Sequence, residues 1–171
     1  MEKLISKLRE RKGDIGIESA MVCLLGIMFL AVCMEVGRVY ITVNAIKSKT
    51  DSAVLTVAAA NVANVYDGVR ESEGAARTVT DGDWEQLVET DAVGNALISI
   101  LSLTQSREAL ERISPNNKMV YSLSGLNTSY VNAEGNNLNF KTTMTITIPL
   151  GFLGIKLNQP LEVCTTYEGK F

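Results

Sequence analysis

One acidic side chain in this 171-residue chain stands where acids are costly. Glu18 sits at the head of an apolar run, residues 19 to 34, that contains no charged residue and no proline. A carboxylate at the centre of a membrane helix costs about 2.5–3.5 kcal/mol, less near the interface, and such groups usually have a partner. The chemistry open to Glu18 is therefore neutralisation of a cation. Other reactive residues are few. The absence of histidine removes Ser-His-Asp and Cys-His catalysis and most zinc sites. Cys23 and Cys33 lie in the apolar run and Cys164 stands alone far downstream, a pattern of small hydrophobes and not of a disulfide framework. Asp81, Asp83 and Glu85 are spaced like the first ligands of a calcium loop, but the twelfth position of such a loop is Ala92, which lacks the bidentate carboxylate. There is no glycine-rich phosphate loop and no dinucleotide fingerprint. No catalytic activity, cofactor or metal is expected.

The element that must carry Glu18 is a membrane helix. Extending the apolar run back through Ile15 gives about 20 residues, roughly what a bilayer-spanning helix needs, and places the spanning part at residues 15 to 35. Lys3, Lys7, Arg9, Arg11 and Lys12 outweigh Glu2 and Glu10 in the preceding flank, so the N-terminus stays cytoplasmic and everything after Glu35 is exported. The core is longer than that of a secretory signal peptide, and Glu35, Val36, Gly37, Arg38 offers no small-residue cleavage site. A plain signal anchor fits the length and the charge asymmetry, with Glu18 snorkelling to the headgroups, but it supplies no partner for the carboxylate.

Gly13 suggests one. A cut after Gly13 would make Asp14 the first residue and Glu18 the fifth. A basic leader at residues 1 to 13 ending in glycine, glutamate at the fifth mature position and an apolar helix after it resembles the class III signal of type IV pilins and pseudopilins. The resemblance covers about the first forty residues. Many type IV pilins begin the mature chain with an aromatic residue; the tight-adherence (Tad) branch is looser there, and its TadE-like minor pilins carry a Gly-Arg pair after the apolar run, as Gly37-Arg38 does here. They usually have an aromatic after the glutamate, where this chain has Ser19. The resemblance implies a prepilin peptidase cutting between Gly13 and Asp14, other pilin subunits packed through the N-terminal helix, and an assembly ATPase and membrane platform as indirect partners. It implies a single-pass protein of the cytoplasmic membrane that later joins a surface filament for adhesion or secretion. The physics is independent of it: an α-amine with a reference pKa of about 7.7–8.0 is largely protonated at neutral pH. Glu18 of one subunit would neutralise the Asp14 amine of a neighbour in an apolar bundle, where an unpaired charge is expensive.

Beyond the membrane, residues 38 to 66 contain neither proline nor glycine after Gly37, and Val39, Val43, Ile46, Ala53, Val57 and Ala60 recur at heptad-like spacing interrupted by Thr50. One helix over residues 14 to 66 is expected, roughly 78 Å from residue 15 onward, with its outer part packing on the protein's own head. Residues 67 to 83, with three glycines and seven charges, read as an exposed linker. Asp83 and Gln86 have capping-box spacing, which predicts a second helix from Trp84 to about Leu103, a break at residues 104 to 106 and a resumption to Ile113 before Ser114-Pro115. The alternation in residues 138 to 148 puts Leu138, Phe140, Met144, Ile146 and Ile148 on one face and predicts a half-buried antiparallel strand. It should turn back on residues 128 to 133, with shorter strands at 119 to 124, 152 to 157 and 161 to 167. The fold class is therefore α+β: a long apolar helix, then a head domain over residues 84 to 171 in which the second helix packs on an antiparallel meander.

Charge argues against nucleic acid. The chain has 16 basic and 19 acidic residues, and without the five basic and two acidic residues of the leader 11 face 17. A phosphate-binding surface needs the opposite balance. A signal-anchored surface protein with a ligand-binding extracytoplasmic head is the alternative to a filament subunit.

Overall fold

A computed structural model of the chain describes residues 2–64, 77–80, 83–86, 88–106, 109–134, 137–151 and 154–168. It contains two compact units, Met1–Ile41 and Thr42–Phe171. Helix α1, Glu2–Asn64, contributes to both. It starts earlier than residue 14, inside the basic N-terminal stretch, because residues 1 to 12 hold no proline or glycine and are rich in Leu, Lys, Arg and Glu, all good helix formers.

The second unit is the α+β head. Five strands form one antiparallel sheet in the sequential order β3-β4-β5-β6-β7, with β3 at Thr104–Gln105, β4 at Ala109–Ile113, β5 at Met119–Glu134, β6 at Asn137–Pro149 and β7 at Lys156–Glu168. Strand β6, between β5 and β7, buries every second residue: Leu138, Phe140, Thr142, Met144, Ile146 and Ile148. This is the face read from the sequence alternation. Two pairs of short strands expected from the pattern are each one long strand. Residues 119 to 134 run together through a register shift between Ser124 and Asn127, where Gly125 takes φ 63°, a conformation that glycine adopts without a Cβ penalty. Pro160 does not end β7, because β7 is an edge strand and needs ladder bonds on one side only.

Helix α2, Thr90–Leu101, is shorter than the pattern predicts, and the capping box at Asp83 is not formed. Asp83–Gln86 is instead strand β2, paired with β1, Arg77–Thr80, so the expected linker contains a strand. Thr78, Val79, Thr80 and Trp84 are good strand formers, and the two residues between the strands are Asp-Gly, the dipeptide most favoured in two-residue hairpins. Residues 67 to 76 lie outside the described residues. Glu89 precedes α2 without a side-chain cap bond, and α2 stops where Ser102 adopts the left-handed conformation. The Leu103 N–H then donates to the Ile98 carbonyl at 3.0 Å, closing the end by a six-to-one bond. The residues expected to resume the helix become β4, because pairing with β5 satisfies their backbone groups across five positions.

Helix α2 buries Val93, Gly94 and Leu97 and packs on β5. A Cβ at Gly94 would lie 3.5 Å from the Leu126 side chain, and Thr90 Oγ1 accepts a 3.1 Å bond from the Thr128 N–H. The outer part of α1 completes the core of this unit through Val43, Ile46, Thr50, Ala53, Val54 and Ala58. Their three- and four-residue spacing is one helix face. Thr50 continues that stripe instead of interrupting it, while Ala60 is exposed.

Candidate functional site

The first unit presents apolar side chains with nothing over them. From residue 17 to residue 34 every side chain is exposed, among them Leu24, Leu25, Phe29 and Leu30 at 60–69% of full exposure. By length and composition this is a helix able to cross a membrane, and it is the one such helix among the described residues. In water the exposed surface would be strongly unfavourable at about 25 cal/mol per Å2, so lipid or other helices must cover it.

Two carboxylates mark the run, and their surroundings differ. Glu35 accepts a 2.5 Å bond from Arg38 Nη2, one turn on, and its side chain is only 17% exposed. That pair neutralises the C-terminal end of the apolar segment. Glu18, at the N-terminal end of the run, has no partner among the described residues and is exposed. Asp14 precedes it by four residues in the same helix, so the two backbone positions share a face. Gly13 and Asp14 are both within the helical backbone of α1, and the Asp14 side chain lies outside those described.

Cys23 and Cys33 are exposed on the apolar helix, and Cys164 is exposed on β7, all three as free thiols. Among the described residues no three His, Cys, Asp or Glu side chains are grouped to hold a metal ion. Asp83 and Glu85, from the acidic cluster seen in the sequence, belong to β2, and Asp81 lies outside the described residues. On the outer sheet face Lys141 pairs with Glu162 at 2.8 Å, and the hydrogen bond to that carboxylate raises the Lys141 pKa.

The head also carries a groove that no motif announced. It lies between α2 and the β3, β4 and β5 strands, has a volume of about 460 Å3, and has Ser124, Gly125 and Leu126 in its lining. The one signal for it in the sequence is a glycine inside a strand pattern, which marks a bulge. No model of a known protein family, no curated protein and no solved structure matches the chain.

Proposed function

We propose that the chain is a structural subunit of a type IV pilus-like filament, most similar to a TadE-like minor pilin of a tight-adherence system, serving adhesion or secretion. The observation that carries this reading is the carboxylate of Glu18, exposed and without a partner among the described residues, at the head of an uncharged and exposed apolar stretch, residues 19 to 34, and four residues after the residue that follows Gly13. In the membrane the helix anchors the subunit with its leader on the cytoplasmic side and its head outside. After removal of residues 1 to 13, the new α-amine of Asp14 supplies a cation that Glu18 of an adjacent subunit can meet, and bringing the apolar helices together removes their surface from lipid. Charge pairing in that medium fixes register, since a shift of one turn leaves two charges uncompensated. The head, which buries the outer part of α1, is carried outward and acts as a structural or adhesive module with no catalytic role.

The length of the protein in its native membrane tests this. N-terminal sequencing or intact mass should give a chain beginning at Asp14. A protein that retains Met1 throughout points to the second reading, a signal-anchored surface protein whose head binds a ligand, which the groove beside α2 favours.

A further inference from the structure

We propose that the outer edge of β7 is an interaction surface whose occupant is the β7 strand of a second copy of this chain, paired antiparallel about a two-fold axis. The inference goes beyond the filament reading and does not use the N-terminal helix. The two edges of the five-stranded sheet are unlike. One ends in β3, two residues long, and the other in β7, thirteen residues long and in unbroken register with β6 from Lys156 to Glu168. A free edge is a row of unpaired backbone donors and acceptors, and proteins that keep an edge free shorten, bend or cover it. The β3 edge is shortened, whereas β7 has no bulge and no described strand pairs with its outer side. Pro160 has no N–H, so the unbroken ladder to β6 places its backbone outward. By alternation the backbone groups of Glu162, Cys164 and Thr166 point the same way and are open to a further strand.

The strand that fits this edge is its own reverse. With Glu162 on the axis the whole of β7 overlaps its copy, and Lys156 lies opposite Glu168 of the second copy at both ends. On the core-facing side Leu161 meets Val163, and Leu157 meets Tyr167. Leu157 pairs with Ile148, which is 1% exposed, yet is itself 38% exposed, so the core is open at this edge where the second copy would cover it. Cross-strand pairs of opposite charge and of apolar side chains are favourable, and two-fold symmetry makes each count twice. Glu162 opposite its own copy is the unfavourable pair, and it is offset because each Glu162 already binds Lys141 at 2.8 Å. Centring on Cys164 instead puts Glu168 opposite Pro160 and leaves Lys156 with nothing opposite.

The test uses the full chain in detergent micelles, with Cys23, Cys33 and Cys164 replaced by Ser and one cysteine introduced for cross-linking by a short bismaleimide. Glu162→Cys, on the axis, should give a covalent dimer, whereas Thr104→Cys, exposed on the opposite edge, should not. Association through the apolar helix alone would favour neither position. Lys156→Glu should lower the Glu162→Cys dimer yield several-fold, and adding Glu168→Lys should restore it. Both side chains are exposed, so the exchange tests the pairing without disturbing the core. No dimer from Glu162→Cys, an equal yield from Thr104→Cys, or a yield indifferent to the charge exchange overturns the proposal. A dimer formed through Cys164 in a chain that retains it, with none through Glu162→Cys, overturns the register.

Discussion

Arg112, in the strand beside the end of α2, donates a hydrogen bond from Nη1 to the carbonyl oxygen of Leu101, the last residue of that helix. The same nitrogen reaches the Ser102 carbonyl at 3.2 Å. Carbonyls at a helix C-terminus lack intrahelical donors and carry partial negative charge, so a guanidinium serves there as donor and as counter-charge. The contact ties α2 to the sheet at the end opposite to Thr90. Arg112→Met keeps most of the aliphatic stem and removes the donor, and should cost about 1–2 kcal/mol in chemical unfolding of the head. A midpoint equal to that of the parent chain would mean that the capped end carries no stability.

Arg112 is also the register partner of Tyr121 across the β4–β5 ladder. Burial pushes the Tyr121 phenol above its ordinary pKa, and the nearby Arg112 charge pulls the other way with smaller effect. A group whose pKa is raised on folding stabilises the fold fully below its unfolded value, about 10 for tyrosine, and that contribution is lost as pH rises through the folded value. Head stability should therefore fall above about pH 10, and Tyr121→Phe should flatten that fall. Lys141→Gln is the control: Lys141 has the same sign of shift but is exposed, and it should leave the alkaline limb nearly unchanged. Urea titrations from neutral to strongly alkaline pH measure both, and an unaltered slope in Tyr121→Phe would refute the assignment.

Ile41 and Ile46 are five residues apart on α1 and differ in what surrounds them. Ile41 is 68% exposed and Ile46 is 1% exposed. Ile46→Ala should destabilise the head by about 2–5 kcal/mol, the range for truncating a buried aliphatic side chain, whereas Ile41→Ala should change head melting little. The comparison locates where α1 stops serving the membrane segment and starts serving the core. Equal effects at the two positions would contradict the division at residue 41.

These residues show why part of the fold was legible from sequence. In β6 one face is core and the other solvent, so alternation at Leu138, Phe140, Met144, Ile146 and Ile148 reads out directly as burial. The stripe at Val43, Ile46 and Ala53 was legible for the same reason, at helical period. Thr50 reads as an interruption because a hydroxyl counts as polar in a pattern, yet the side chain is fully buried in the stripe. The segment from Asp83 to Ile113 went wrong where tertiary pairing decides. Residues 109 to 113 read locally as a resumed helix, and pairing with β5 overrides that reading; at Asp83 a capping-box spacing competed with an Asp-Gly hairpin signal and lost. Glu18 stands out in the sequence because a charge at the head of an apolar run is a local anomaly. The groove beside α2 was not, because its lining is assembled from four elements and the one local signal, Gly125 inside a strand pattern, marks a bulge and not a groove.

Replacing Glu18 separates anchoring from assembly. Glu18→Ala removes a group that the membrane disfavours, so insertion should be unchanged or slightly easier, and the variant should fractionate with membranes as the parent does. If the carboxylate meets the Asp14 amine of an adjacent subunit, the same change leaves that amine uncompensated in an apolar bundle, where loss of one member of a charge pair costs about 3–5 kcal/mol. That penalty recurs at every contact along a filament and should abolish sheared filaments visible by electron microscopy. Glu18→Asp, which keeps the charge on a shorter arm, should reduce filament yield without eliminating it. Normal filaments from Glu18→Ala would remove the charge pair from the account, while its failure to reach the membrane would assign Glu18 to insertion and not to assembly.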